Sequence, residues 1–101
     1  MPPGAACVSA CPLILFSGSE RLVSRASWIG LHQAYYDEGV FIPSRPVRDI
    51  QTLQAETLLY TQEMGADPTV HIHALETPPE DAYFLVEDEL TGCAVATRII
   101  N

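Results

Sequence analysis

The spacing of hydrophobic positions predicts one long amphipathic helix and a shorter helix near the start of the chain. Over residues 47–64, apolar residues recur three to five positions apart, and Asp49 and Gly65 stand near plausible ends, so a helix is predicted there. Residues 10–17 predict the shorter helix, because Pro12 is tolerated in a first helical turn, where its missing N–H would have no partner.

The remaining apolar groups predict short strands and small helices between polar turns. Asp67 followed by Pro68 predicts the cap and start of a helix that runs to about residue 75. Strands are predicted at "RLV", at "SWIGLH" and at residues 94–100. A short turn or strand is predicted at residues 83–85, and a brief helix over residues 87–91. Residues 34–48 are punctuated by Gly and Pro, which predicts a loop that covers or lines a site. The chain is predicted to be mixed α/β.

Composition indicates one folded domain over residues 1–101. The apolar share of 48 % against a charged share of 18 % is typical of a chain that forms a core. The net charge of −8 has the wrong sign for neutralising phosphates, so nucleic acid is not expected as a partner. Neither a membrane span of about 18–20 apolar residues nor a signal peptide is predicted. Membrane association is left open.

The three cysteines, Cys7, Cys11 and Cys93, are an odd number, so at least one is free or pairs outside the chain. On a helix, Cys7 and Cys11 would lie about one turn apart, which is near the limit of disulfide geometry. Because free cysteine is among the most buried residue types, all three are predicted to be packing thiols.

Ser9 and His32 are the candidates for nucleophilic chemistry. A reactive serine needs a histidine within hydrogen-bond reach and an acid that fixes the tautomer of that histidine. Ser9 precedes the first helix, whose end can support an oxyanion, but serine is also a favoured N-cap residue. His32 ends an apolar strand and is followed by Gln33, and a structural role for this histidine stays open at this point.

A metal site is a weaker alternative. It would use His32, His71 and His73. Because His71 and His73 are two positions apart, they do not share a helical face, and no cysteine or carboxylate stands at ligand spacing. No metal or other cofactor is therefore predicted.

The segment "CVSACPLILFSGSERLVSRASWIGLHQ" resembles the active-site segment of the Clp protease proteolytic subunit and its relatives in the ClpP/crotonase superfamily, especially Clp-like proteins of bacterial envelopes. In that family a serine in a small-residue turn opens a helix, and a short passage leads to a His-Gln pair; Ser9 and His32 match these positions. "EDAYFLVEDELTGCAVAT" resembles the passage after the family's aspartate, which implies that Asp81 is the acid, with Glu80 as its rival. The resemblance covers residues 5–100 and the C-terminal half of the family's domain.

The resemblance implies a partial ClpP/crotonase-like domain that hydrolyses peptide bonds. Ser9 would be acylated, His32 would act as base, Asp81 would orient it, and the Ala10 N–H would donate to the oxyanion. The family's earlier half supplies a second oxyanion donor, which here must come from "MPPG" or from another chain. A peptide or protein substrate and a homo-oligomer are implied, with a periplasmic or envelope location if a longer parent carries an export signal. Dependence on an ATPase partner is left open.

The alternative function is a non-catalytic crotonase-like domain. In this alternative the helix over residues 47–64 and the neighbouring strands serve oligomer assembly.

Overall fold

The computed structural model describes residues 1–34 and 45–101 and contains the predicted mixture of helices and strands. In chain order the elements are β1 Ala6–Val8, α1 Cys11–Phe16, β2 Leu22–Ser24, β3 Trp28–Leu31, α2 Arg45–Glu63, a 3₁₀ turn Pro68–Val70, α3 His71–Glu76, β4 Tyr83–Phe84, α4 Glu87–Gly92 and β5 Arg98–Ile100. The α/β class is therefore confirmed at this coarse level. Most of the predicted loop over residues 34–48 lies outside the described residues, and its last four residues belong to α2.

Two small sheets organise the described strands. One has the order β1-β3-β4, in which β3 lies parallel to β1 and antiparallel to β4. The other pairs β2 with β5 in parallel. Because parallel neighbours must be joined by a crossover, α1 and β2 lie between β1 and β3 in the chain. The core between these sheets and the helices consists of Cys7, Phe16, Val23, Ile29, Leu31, Ala66, Val70, Leu85, Leu90, Val95 and Ala96.

The helix predicted over residues 47–64 is confirmed and begins two residues earlier, at Arg45. Gly65 follows it with φ of 90°, a conformation that a residue without a Cβ adopts readily. Asp67 then caps the next turn, since its carboxylate accepts a 2.9 Å hydrogen bond from the Thr69 N–H. That bond lowers the pKa of the Asp67 carboxyl. Among the described residues, no helix has both the length and the apolar character that crossing a bilayer requires.

The terminal strand is shorter than predicted. The expectation covered residues 94–100, but only Arg98–Ile100 pairs with β2. The residues before Arg98 do not continue the strand. Ala94 has a φ of 52°, which is outside the β region, and the Ala96 N–H donates to the carbonyl of Leu90. Because these backbone groups are already engaged, they cannot continue the ladder.

Arg21 fixes this region through its buried guanidinium, and the residue is only 4 % exposed. Its Nε donates to the carbonyl of Val95 at 3.0 Å, and one Nη donates to Ala94 at 2.8 Å. The other Nη donates to the carbonyls of Gly18 and Met64 at 2.8 and 3.2 Å. The side chain thus joins the end of α1, the end of α2 and the segment before β5, and every acceptor is a backbone carbonyl.

We predict that Arg21→Met destabilises the fold by about 3 kcal/mol or more, because several carbonyls lose a charged donor in a buried place. Urea unfolding followed by circular dichroism measures this change. Arg25→Met is the matched control, since Arg25 is exposed and lies 3.8 Å from Glu87; its loss should stay within about 1 kcal/mol. If both variants lose the same free energy of unfolding, the hydrogen bonds of the buried Arg21 guanidinium do not stabilise the fold as proposed.

Candidate active site

Ser9 occupies a strained turn between β1 and α1. Its φ is 64°, in the left-handed region, which costs a non-glycine residue on the order of 1–3 kcal/mol. The residue at the N-cap of α1 is Ala10, and no side chain caps the helix. The alternative in which Ser9 is the helix cap is therefore wrong. The turn presents an exposed serine directly after a strand and before a helix, as in the strand-to-helix elbows of serine hydrolases.

Cys7 and Cys11 form a disulfide that spans this turn, so the prediction of three packing thiols is wrong for this pair. The expectation placed both residues near one helix. Cys7 instead lies on β1, and the turn at Ser9 brings the two Cα atoms to 5.2 Å, within the usual range for a bridge. Cys93 is free and partly buried.

His32 follows β3, the strand that lies parallel to β1. In the register of this pair, Val8 lies opposite Gly30. Ser9 and His32 therefore leave their strands at the same edge of the sheet, the carboxyl edge where α/β sheets usually bind ligands. Both residues line one cavity of about 230 Å³.

The lining of this cavity is mainly apolar. Besides Ser9 and His32 it consists of Ala10, Pro12, Leu13, Leu31, Gln33, Ala34, Leu53, Gln54, Thr57, Leu58, His71, Ala74 and Leu75. The described lining thus contains no Asp, Glu, Lys or Arg. In such surroundings a hydrogen bond to a developing charge is stronger than in water.

The backbone around His32 selects its tautomer. Its Nδ1 lies 2.7 Å from the carbonyl oxygen of Gln33, and because a carbonyl only accepts, Nδ1 carries the proton. In the neutral ring, Nε2 is then the basic nitrogen. Gln33 is itself fixed, since its Nε2 donates to Leu75 O and its N–H to Thr77 O, both at 2.8 Å. The carbonyl therefore has a well-defined direction.

Asp81 is not among the residues that line the cavity. Asp81 and Glu80 are both exposed, and among the described hydrogen bonds and ion pairs neither side chain bonds to His32. The register pairs Leu31 with Tyr83, and continuing it places Ala82 across from His32. Ser9 and His32 thus line the same cavity, whereas Asp81 comes one residue before Ala82, the residue opposite His32.

The backbone N–H of Ala10 is available as an oxyanion donor. It donates to no acceptor among the described residues, and it directly follows Ser9, so it would have the position of an oxyanion donor if Ser9 were a nucleophile. Within "MPPG", the two prolines have no N–H, the Gly4 N–H donates to Ala26 O at 2.9 Å, and the Met1 amino group donates to Leu22 O. A second oxyanion donor from this segment stays a prediction.

His71 is a cavity residue that the sequence did not single out for this site. Its Nε2 lies 2.7 Å from the hydroxyl of Thr61. That hydroxyl uses its only proton on the carbonyl of Thr57, so His71 Nε2 is the donor. Burial lowers the pKa of His71, which keeps the ring neutral. Tertiary packing alone brings His71 to the cavity, and no short sequence motif around His71 predicts that position.

The third histidine belongs to a different cluster. His73 Nε2 lies 2.7 Å from a carboxylate oxygen of Glu89, and its ring stacks on Tyr83 at 4.2 Å. The hydrogen bond to Glu89 raises the pKa of the Tyr83 hydroxyl. Among the described residues, no three His, Cys, Asp or Glu side chains are arranged to hold a metal ion.

Comparison of the chain with models of known protein families and with curated proteins gives no match.

We predict that the free energy of unfolding falls more steeply between pH 7.5 and pH 5.5 in the wild type than in His71→Gln. The ordinary histidine pKa is 6.5, and burial places the folded value lower. Below pH 6.5 the unfolded chain therefore binds a proton that the folded chain does not, and stability decreases as pH falls. Urea titrations at the two pH values measure both slopes. Parallel slopes would contradict a neutral, buried His71.

Proposed function

We propose that this chain is a serine hydrolase of the Clp-like type, corresponding to the C-terminal half of a ClpP/crotonase-like domain, and that Ser9 and His32 carry out acyl transfer. One observation carries the proposal. A serine held at positive φ between a strand and a helix shares a cavity with a histidine from the neighbouring parallel strand. Strained backbone of this kind is concentrated at functional sites.

The reaction begins when Ser9 Oγ attacks the carbonyl carbon of a peptide bond while His32 Nε2 takes its proton. The tetrahedral intermediate collapses, and the protonated imidazole gives that proton to the leaving amine. Water then attacks the acyl-serine with His32 as base, which releases the acid and restores Ser9. The Ala10 N–H donates to the negative oxygen in both halves of the reaction.

A dyad fits the geometry of His32 better than a triad. The carbonyl of Gln33 already accepts from Nδ1 at 2.7 Å, which is the bond that an acid would otherwise make. It fixes the ring and its tautomer without adding a negative charge to the apolar cavity. Asp81 remains the alternative orienting acid, and it would act only after the bond between Nδ1 and Gln33 breaks.

The apolar lining supports a substrate that buries an aliphatic group beside the scissile bond. Leu13, Leu31 and Leu58 lie within the same cavity as Ser9. A cavity of about 230 Å³ accommodates a side chain rather than a folded domain, so we infer an extended peptide or a flexible segment of a protein as substrate.

The described sheet has room for the rest of a Clp-like domain. β1 is an edge strand of the described sheet. One face of this sheet exposes Val8 of β1, Trp28 of β3 and Phe84 of β4. Strands from the family's earlier half would cover this apolar face and supply a further oxyanion donor. A homo-oligomer belongs to the same proposal, as does a periplasmic or envelope location if a longer parent carries an export signal.

We predict that a fluorophosphonate probe labels Ser9, as read by mass spectrometry of the digested protein. Ser9→Ala should abolish the label, and His32→Asn should slow labelling by about 10²–10⁴-fold, since general-base catalysis contributes on this scale. Ser19→Ala, at an exposed serine outside the cavity, is the control and should keep the wild-type rate. A folded wild type without label on Ser9 would refute the nucleophile.

The role of the acid is tested by two isosteric variants in the same assay. If the dyad is correct, Asp81→Asn and Glu80→Gln both leave the labelling rate within about twofold of the wild type. If Asp81→Asn alone slows it by about 10²-fold or more, the triad is correct.

Exposed apolar side chains on α2 favour oligomer assembly as a second candidate function. Val47, Leu53, Leu58 and Leu59 are all exposed, and Leu59 is 60 % exposed. We infer that a second chain covers some of these side chains, since extended apolar patches mark interaction surfaces.

We predict that Leu59→Glu lowers the mass of the particle measured by sedimentation velocity, because a charge is costly inside an apolar contact. Gln62→Glu adds the same charge at another exposed position on α2 and should leave the mass unchanged. An unchanged mass in Leu59→Glu would show that this part of α2 is not an assembly surface.

A further inference from the structure

We propose that Cys7 and Cys11, joined as a disulfide, are positioning residues for Ser9, so that the acylation rate of Ser9 depends on the oxidation state of this pair. The inference rests on the proposed function and adds a form of regulation to the same site.

Both ends of the bridge are anchored in the fold. Cys7 lies in β1, opposite Ile29 of β3, and is only 3 % exposed. Cys11 is the first residue of α1, a helix that buries Pro12 and Phe16. The covalent bond therefore ties the end of a strand to the start of a helix, with Ser9 at the midpoint.

Other restraints on the turn are few. Ser9 Oγ makes no hydrogen bond among the described residues, and Ala10 provides no side-chain cap for α1. Yet Ser9 holds a φ of 64°, which an L-residue rarely adopts. The disulfide is thus the restraint that opposes relaxation of Ser9 to negative φ.

The length of the loop indicates a local role. A bridge across four positions removes little chain entropy from the unfolded state, because that effect grows with the length of the closed loop. Its main effect is on the turn itself. Relaxation of the turn would move Ser9 Oγ and the Ala10 N–H together, away from His32.

The switch is a thiol–disulfide exchange with a dithiol reductant. A thiolate of the reductant attacks Cys11 Sγ, since Cys11 is only half-buried whereas Cys7 is buried. This forms a mixed disulfide and releases Cys7 as a thiolate, which takes a proton. The second thiol of the reductant then displaces Cys11, which is protonated in turn. Two electrons pass to the protein, and the reductant leaves as a disulfide.

The experiment measures the saturation kinetics of fluorophosphonate labelling on Ser9 before and after reduction with dithiothreitol. The maximal rate should fall about tenfold or more on reduction, because small displacements of a nucleophile have effects of this size. The probe concentration at half-saturation should change by less than about twofold, and the pH dependence of the labelling rate should be the same before and after reduction. Reoxidation should restore the rate.

Variants keep the test independent of the reductant. Cys11→Ser should label as slowly as the reduced wild type and should not respond to dithiothreitol. Cys93→Ser, which removes the free thiol, should behave like the wild type in both states. Circular dichroism of every sample confirms that the fold is retained.

A structural readout separates the two ways in which the idea can fail. If Ser9 labels equally fast in both states, the positioning role is wrong and the proposed function stands. If the oxidised protein does not label Ser9 at all, the proposed function is wrong. The ³J(HN–Hα) coupling of Ser9, measured by NMR, then decides the positioning role: a coupling that is unchanged on reduction overturns it as well.

Discussion

The parallel pairing of β1 with β3 is the constraint on which the candidate site depends. It places Ser9 and His32 at one edge of the sheet although 23 positions separate them in the chain. Gly30 leaves room for the neighbouring side chains at this pairing, because a Cβ there would lie 2.8 Å from Val8 Cγ1 and 2.9 Å from Phe84 Cε1. A side chain at this position would displace the side chains of Val8 and Phe84.

A disulfide and a pair of hydrogen bonds restrain the segments that carry Ser9 and His32. The disulfide between Cys7 and Cys11 closes around the turn of Ser9, and Gln33 ties the segment after β3 to the end of α3 through its side-chain amide and its backbone N–H. The disulfide joins the two residues on either side of the turn that carries Ser9, and the hydrogen bonds of Gln33 orient the carbonyl that selects the tautomer of His32. Arg21 acts further away, where it joins the ends of the first two helices to the last strand.

Among the described residues, no Asp, Glu, Lys or Arg lines the cavity that Ser9 and His32 share. His32 meets a carbonyl dipole instead of a carboxylate, and its neighbour His71 is kept neutral by burial. In an apolar cavity, a single oriented N–H such as that of Ala10 can have a large effect on a developing oxyanion. The described part of the cavity lining thus contains none of the acidic residues that give the chain its net charge of −8.

The sequence by itself determined most of the elements, because hydrophobic spacing and caps such as Asp67 act over a few residues. It also singled out Ser9 and His32 as candidates, through the residues on either side of them. Only the tertiary structure decided the rest. The strand before Ser9 has only three residues, which is too short for a recognisable alternation of apolar and polar positions. The carbonyl of Gln33 is a backbone group that every residue has, so the sequence does not mark it. Whether Asp81 or Ala82 lies opposite His32 depends on the register between β3 and β4. A shift of one residue in this register would move each side chain of the strand to the other face of the sheet.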